Sequence, residues 1–148
     1  MVGTVIQVVC GSPDYFAHHG TPQTPEDLAR LSCITFDILA STTSWHFQRG
    51  SNGGNVVDVK SRLSVNTADA AVDAAINGLG VTRVLSYQAA KAVGEGKLTI
   101  VLSPFQPAPT PVSVVYALHD PLPLKIRSFI DFAAPRLRTR FSEQRLDF

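Results

Sequence analysis

The 148-residue chain is sparing with the residues that would commit it to a class of its own. It has two cysteines, Cys10 and Cys33, too few for a disulfide framework, and no Cys or His pair has the spacing of a zinc site. Charged residues make up 17% of the chain and balance to +1, so no field of one sign draws it to nucleic acid. The small imbalance lies at the end. Seven basic and nine acidic residues precede position 125, whereas six basic and three acidic follow. Arg136, Arg138, Arg140 and Arg145 form this basic tail, which reads as a solvated helix end. No uncharged apolar run approaches the length of a membrane span. The opening run Val2 to Cys10 is short, lacks a basic flank and ends in a turn, so no signal peptide is expected and the reading is cytoplasmic. What the chain does have is 45% hydrophobic residues, which excludes disorder and suffices for a core in a chain of this length.

Hydrophobic patterning alternates strands with short helices. Val5–Cys10 reads as a buried strand, followed by a helix over Pro13–His19 that Ser12 caps and Gly20 stops. Thr24-Pro25-Glu26-Asp27 repeats the helix-start signal, and Cys33–Phe36 returns to a strand. Trp45–Arg49 and Val56–Lys60 flank the turn-forming run Gly50–Asn55 and predict a hairpin that leads on to Leu63 and Val65. These glycines run into a strand rather than a helix, which excludes a phosphate loop. Asn66 or Thr67 caps a helix whose apolar face is Ala71, Val72, Ala75, Ile76 and Leu79 and which Gly78 ends. A strand to Leu85, a short helix over Ser86–Val93 and a strand over Lys97–Leu102 follow. Pro104, Pro107, Pro109 and Pro111 make a stiff crossing. Beyond it the pattern predicts a strong strand over Val112–Leu118. The last helix is expected to pack Ile126, Phe129, Ile130, Ala133 and Leu137 on the sheet. The pattern as a whole predicts an α/β layered fold with a largely parallel sheet and one antiparallel hairpin.

Candidate chemistry is thin. A nucleophile would have to be Cys10 or Ser12 acting with His18 or His19, but there is no Gly-x-Ser-x-Gly elbow and Ser12 already has a task as a cap. His18 and His19 close a short helix, where they face carbonyl groups. His46 and His119 are isolated, and Asp69 and Asp73 share a helix face as a cap residue and a solvent-facing one. No catalytic residue, metal site or cofactor is assigned. What remains is a binding architecture: capped helix starts directly after strands, at Ser12 and Thr67, offer free N–H groups to a small anion such as a carboxylate.

Several segments, taken in order, resemble the effector-binding domain of LysR-type transcriptional regulators. They include Val9-Cys10-Gly11-Ser12-Pro13-Asp14-Tyr15-Phe16-Ala17, Thr24-Pro25-Glu26-Asp27-Leu28-Ala29, Trp45-His46-Phe47 and Leu63-Ser64-Val65-Asn66. Ala74-Ala75-Ile76-Asn77-Gly78-Leu79-Gly80-Val81, Gly96-Lys97-Leu98 and Lys125–Phe132 continue the series to the last helix. The resemblance implies a type II periplasmic-binding-protein-like fold, with residues 9–111 as its second lobe, 112–138 as the return strand and helix of the first lobe, and 139–148 as a tail. It implies a small-molecule effector bound between the lobes, with Asp37 to Ser41 as one wall, Asn66 and Thr67 as another, and Ser12 as a further candidate. It also implies self-association, most simply as a dimer, and DNA binding only through a winged helix-turn-helix domain that has no counterpart in these residues. The alternatives are a free-standing solute-binding module and a small hydrolase using Ser12 or Cys10.

Overall fold

The computed structural model describes residues 1–36, 43–48, 54–117 and 120–144. Its centre is a five-stranded sheet built from β2 (Gln7–Gly11), β3 (Ser32–Phe36), β6 (Lys60–Val65), β7 (Val81–Leu85) and β8 (Thr99–Val101), in the order β6-β3-β7-β2-β8. A second pairing joins β1 (Gly3–Val5) to β9 (Thr110–Val112), and a third joins β4 (Ser44–Gln48) to β5 (Gly54–Asp58). The helices are α1 (Pro13–His19), α2 (Ala68–Ile76), α3 (Ser86–Gly94) and α4 (Leu124–Glu143).

The central strands are apolar on both faces because both faces are covered. Val8, Cys10, Ile34 and Val84 meet Ala71, Val72 and Ala75 of α2 and Ala89 and Ala92 of α3. Alanine on both helices lets their backbones approach the sheet closely. Val9, Cys33 and Val81 point the other way, into a cluster closed by Tyr15 and Phe16 of α1, Leu28, Leu31, and Trp45, Phe47 and Val57 of the hairpin. Successive residues of one strand thus serve two different cores, as the period-two geometry of a strand requires.

Several expectations hold. Ser12 caps α1, its hydroxyl accepting a hydrogen bond from the Tyr15 N–H at 3.1 Å, and Thr67 caps α2 by accepting from the Ala70 N–H at 3.2 Å. The Asp27 carboxylate accepts from the N–H groups of Gln23 at 2.9 Å and Thr24 at 3.1 Å, and these two bonds hold its pKa below the ordinary carboxylate value. The segment it starts, Pro25–Arg30, is a 3₁₀ helix.

Others are corrected. The sheet is largely parallel, as expected, but with one reversed strand inside it: β6, β3, β7 and β8 run the same way, and β2 runs antiparallel to its neighbours β7 and β8. The cause is that β2 enters the sheet at the end where β7 finishes. The single strand expected over Val5–Cys10 is two, broken at Ile6, because β1 and β2 pair in different sheets. The hairpin forms, but Gly54 and Asn55 lie within β5, opposite Gln48 and Phe47, rather than in the turn. Arg49 and Gly50 to Gly53 lie outside the described residues. Among the described residues of the crossing and of the strong strand expected over Val112–Leu118, only Thr110–Val112 are paired, because β1 gives out opposite Val112, and Leu118 lies outside the described residues. The last helix forms, but it does not bury its apolar face on the sheet. Phe129 remains 63% exposed, and Ala134 is the buried residue of α4.

Gly80 tests the close packing of β7 on β3, since a Cβ there would run into the Ser32 carbonyl oxygen. Gly80→Ala is expected to destabilise the chain by about 2–3 kcal/mol in urea unfolding. Gly94→Ala, with open space at the end of α3, should be neutral or stabilise by up to about 1 kcal/mol. Equal effects at the two sites would show that the β3–β7 approach is looser than described.

Candidate functional site

Strand register defines two ends of the central sheet. Phe36 lies opposite Val65, and Gln7 opposite Leu85, which places the ends of β3, β6 and β7 beside the start of β2. Gly11 lies opposite Thr99 and Ser32 opposite Lys60 at the other end. Both α2 and α3 start at the first of these ends, directly from β6 and β7. The first N–H groups of a helix have no partner within it, and the aligned peptide dipoles give that terminus partial positive charge. The α2 start has Asp69 in its first turn, whereas α3 has no acidic residue there. Gln88 of α3 accepts a hydrogen bond from the Leu85 N–H at 2.9 Å, which fixes how the helix leaves the strand. Ser86 is buried and binds Ile6 twice: its N–H donates to the Ile6 carbonyl at 2.7 Å and its hydroxyl accepts from the Ile6 N–H at 3.3 Å. The point where the chain crosses between sheets is thereby tied to the start of α3.

The sequence-predicted residues divide between the two ends. Asn66 and Thr67 are exposed at the end where α2 and α3 begin. Asn66 makes no hydrogen bond among the described residues, while Thr67 is the α2 cap. Ser12 follows Gly11 at the opposite end of the sheet. It is 5% exposed and lies beside Gly78, Asp14 and Ile76, so the fold does not bring it to Asn66 and Thr67. Asp37 and Ser41 lie outside the described residues.

The nucleophile candidates are placed for packing. Cys10 and Cys33 are fully buried on opposite faces of the sheet, and burial pushes each thiol up to about 12. A thiol in that range is a poor nucleophile. His18 and His19 are held by Nδ1 to the carbonyls of Asp14 at 2.8 Å and Tyr15 at 3.1 Å, away from Cys10 and Ser12 in function. Among the described residues no group of His, Cys, Asp and Glu is arranged to hold a metal ion, and no helix is long and apolar enough to cross a membrane.

Sequence reasoning missed Ser86 and Arg83. The Arg83 guanidinium, on β7, lies 5.3 Å from the Trp45 ring centre and 5.8 Å from that of Phe47, and donates to the His46 carbonyl at 2.9 Å. Burial draws its pKa down to about 10. It fastens the hairpin to the central sheet by cation–π attraction, which strengthens as water is excluded. The alternation of Trp45 and Phe47 was a visible signal for a buried hairpin face, but their meeting with Arg83 depends on strand order.

Comparison with known proteins gives the family. The model of the LysR substrate binding domain matches residues 2–138. The HTH-type transcriptional regulator CrgA of Neisseria meningitidis is 28% identical over 130 residues, covering 87% of this chain and 43% of that protein. PgrR of Escherichia coli is 34% identical over 101 residues, covering 67% of this chain and 33% of its own length. The chain thus spans less than half the length of these relatives. Among solved structures, full-length AphB, the Vibrio cholerae virulence activator, superposes with a TM-score of 0.79 at 24% identity, covering 91% of this chain and 46% of AphB. The structure of CrgA gives 0.76 at 26% identity over 92% of this chain and 46% of CrgA. With the family model covering almost all of it and the fold shared by LysR-type regulatory domains, the chain belongs to the LysR substrate-binding domain family of transcriptional regulators, with their α/β, periplasmic-binding-protein-like architecture.

Proposed function

We propose that this chain is the effector-sensing part of a LysR-type regulator, that its effector is a small organic anion, and that it self-associates. The observation that carries the ligand class is the start of two helices, α2 and α3, at one end of the central sheet, with exposed Asn66 and Thr67 beside them. Two partial positive charges at one end of the sheet favour a carboxylate, and the first turn of α3, whose leading Ser86 N–H is taken by the Ile6 carbonyl, holds no acidic residue. The effector is taken up at this end, with Asn66 as a side-chain donor and the start of α3 as the anion seat. Ser12, at the far end, is left out of this site. In this reading residues 9–111 are the second lobe, and 112–138 return to the first. DNA is reached only through a winged helix-turn-helix domain elsewhere in the regulator, and the protein works in the cytoplasm without a cofactor.

The link from site to regulation runs through Ile6 and Ser86. An anion held at the start of α3 bears on Ser86, and Ser86 holds the crossing between β1 and β2. Ligand binding therefore biases how the β1–β9 pair sits against the central sheet, to the extent that the ligand binds one arrangement more tightly than another.

A thermal-shift series of aromatic and aliphatic carboxylates, each beside its uncharged amide, tests the ligand class. A carboxylate at 100 times its Kd should stabilise the chain by about 2.7 kcal/mol, a shift of several degrees, with no response to the amide. Asn66→Ala should weaken that carboxylate about tenfold while leaving the unliganded midpoint in place, because the side chain is exposed. Amides that stabilise as well as their acids would overturn the anionic reading. The hydrolase alternative predicts labelling of Cys10 by iodoacetamide or of Ser12 by a fluorophosphonate. The folded chain should resist both at pH 8, since a thiol raised to about 12 holds about a thousandfold less thiolate than one at its ordinary value. Labelling of Cys10 should appear only when urea unfolds the chain.

A further inference from the structure

Ile6 and Ser86 join β1 to α3 at one place, and one attachment lets two bodies turn about it. A second is needed to fix the angle between the β1–β9 pair and α3. The last turn of α4 provides it. Built onto Gly3, a Cβ would lie 2.6 Å from Phe141 Cγ, 2.7 Å from its Cβ and 2.8 Å from its Cδ2. The Phe141 side chain therefore fills the space that a larger residue at position 3 would need. Gly3 sits inside β1, opposite Val112, and serves no turn. Glycine within a strand weakens it and marks the close approach of another group. Here that group is Phe141.

The same ring also meets α3. It lies 6.3 Å from the ring of Tyr87 at 87°, the edge-to-face arrangement that aromatic quadrupoles favour. Tyr87 follows Ser86 in the first turn of α3. That turn is thus tied to β1 twice, through Ser86 to Ile6 and through Tyr87 and Phe141 to Gly3. Gly3 and Ile6 are three residues apart, roughly 10 Å along an extended chain. Two attachments at that separation hold an angle that neither holds alone. Beside the ring, Gly3, Thr4, Arg138 and Ser142 help to line a cleft of about 250 Å³, and Phe141 belongs to neither core cluster. The ring thus has room to leave its place without opening the core. Phe141 also lies beyond residue 138, where the match to the family model ends.

We infer that Phe141 is a positioning residue, a wedge between β1 and Tyr87 that sets the angle of the β1–β9 pair to α3. It touches no effector. It acts by holding the first turn of α3 against β1, and because the anion is proposed to sit at that turn, its part in sensing rests on that reading of the site. With the wedge in place, the anion seat and the β1–β9 pair move as one body. With it gone, they turn about Ile6. Part of the tail expected over residues 139–148 thereby acquires a task.

Hydrogen exchange of the whole chain without ligand, read by mass spectrometry of its peptides, tests the wedge. Phe141→Ala should speed exchange in peptides covering Gly3–Val8 and Leu85–Ala89 at least about fivefold while β3 and α2 stay unchanged. Phe141→Tyr, which keeps the ring, should leave exchange slow. Gly3→Ala should act like Phe141→Ala by expelling the ring, and the two together should do no more than Phe141→Ala alone. No acceleration in those two peptides, acceleration confined to α4, or acceleration spread evenly over the chain would overturn the wedge. So would effects of Gly3→Ala and Phe141→Ala that simply add. Since no carboxylate is present, this experiment and the thermal-shift series fail separately. A wedge without a carboxylate response would leave the angle set by Phe141 but remove its part in sensing, whereas a carboxylate response without a wedge would overturn the inference alone.

Discussion

The two hydrogen bonds between Ile6 and Ser86 set the plan of this molecule. They fix the residue at which the chain leaves the β1–β9 pair and enters the central sheet. From that entry β2 runs antiparallel to β7, and β8 returns beside it. The same serine begins α3, so the place where the sheets exchange chain is also the place where a helix presents its N-terminus. Buried polar groups of this kind have to be satisfied, and here two backbone groups of Ile6 are satisfied by one residue. Crossing point, strand direction and candidate binding end are thus consequences of a single pairing.

Much of the central unit was legible in the sequence, for a local reason. Caps act over three or four residues, so Ser12, Thr67 and the box around Asp27 announce their helices without reference to the rest of the chain. The apolar faces of α2 and α3, and the alternation of Trp45 and Phe47, are equally local. What was not legible depends on strand order. Period-two patterning in Val8-Val9-Cys10 says that both faces are buried, but not which way the neighbours run, and so the reversal of β2 within an otherwise parallel sheet was not foreseen. The β-branched run from Val112 was read as a strand on composition, whereas a strand also needs a partner, and β1 supplies one only as far as Val112.

The candidate site divides in the same way. Asn66 and Thr67 were found because they stand before a helix, and Ser12 was found for the same reason. A helix start has no address in the sheet until the registers are known, and these put Ser12 at one end and Thr67 at the other. Ser86 carried no signal at all, since its role lies in a bond to a residue 80 positions earlier. Membership of the LysR family, by contrast, rests on the ordered combination of many weak local segments, which is why it could be read before any strand was paired.

The Arg83 stack has one more consequence. Trp45 is the only tryptophan in the chain, and it is buried beneath that guanidinium in the cluster formed by the hairpin and the central sheet. Its indole emission therefore belongs to one layer of the molecule. A hairpin lifting from the sheet would move that spectrum to the red while the helical signal from α2, α3 and α4 stayed constant. The chain carries a built-in optical reporter for the layer opposite α2 and α3.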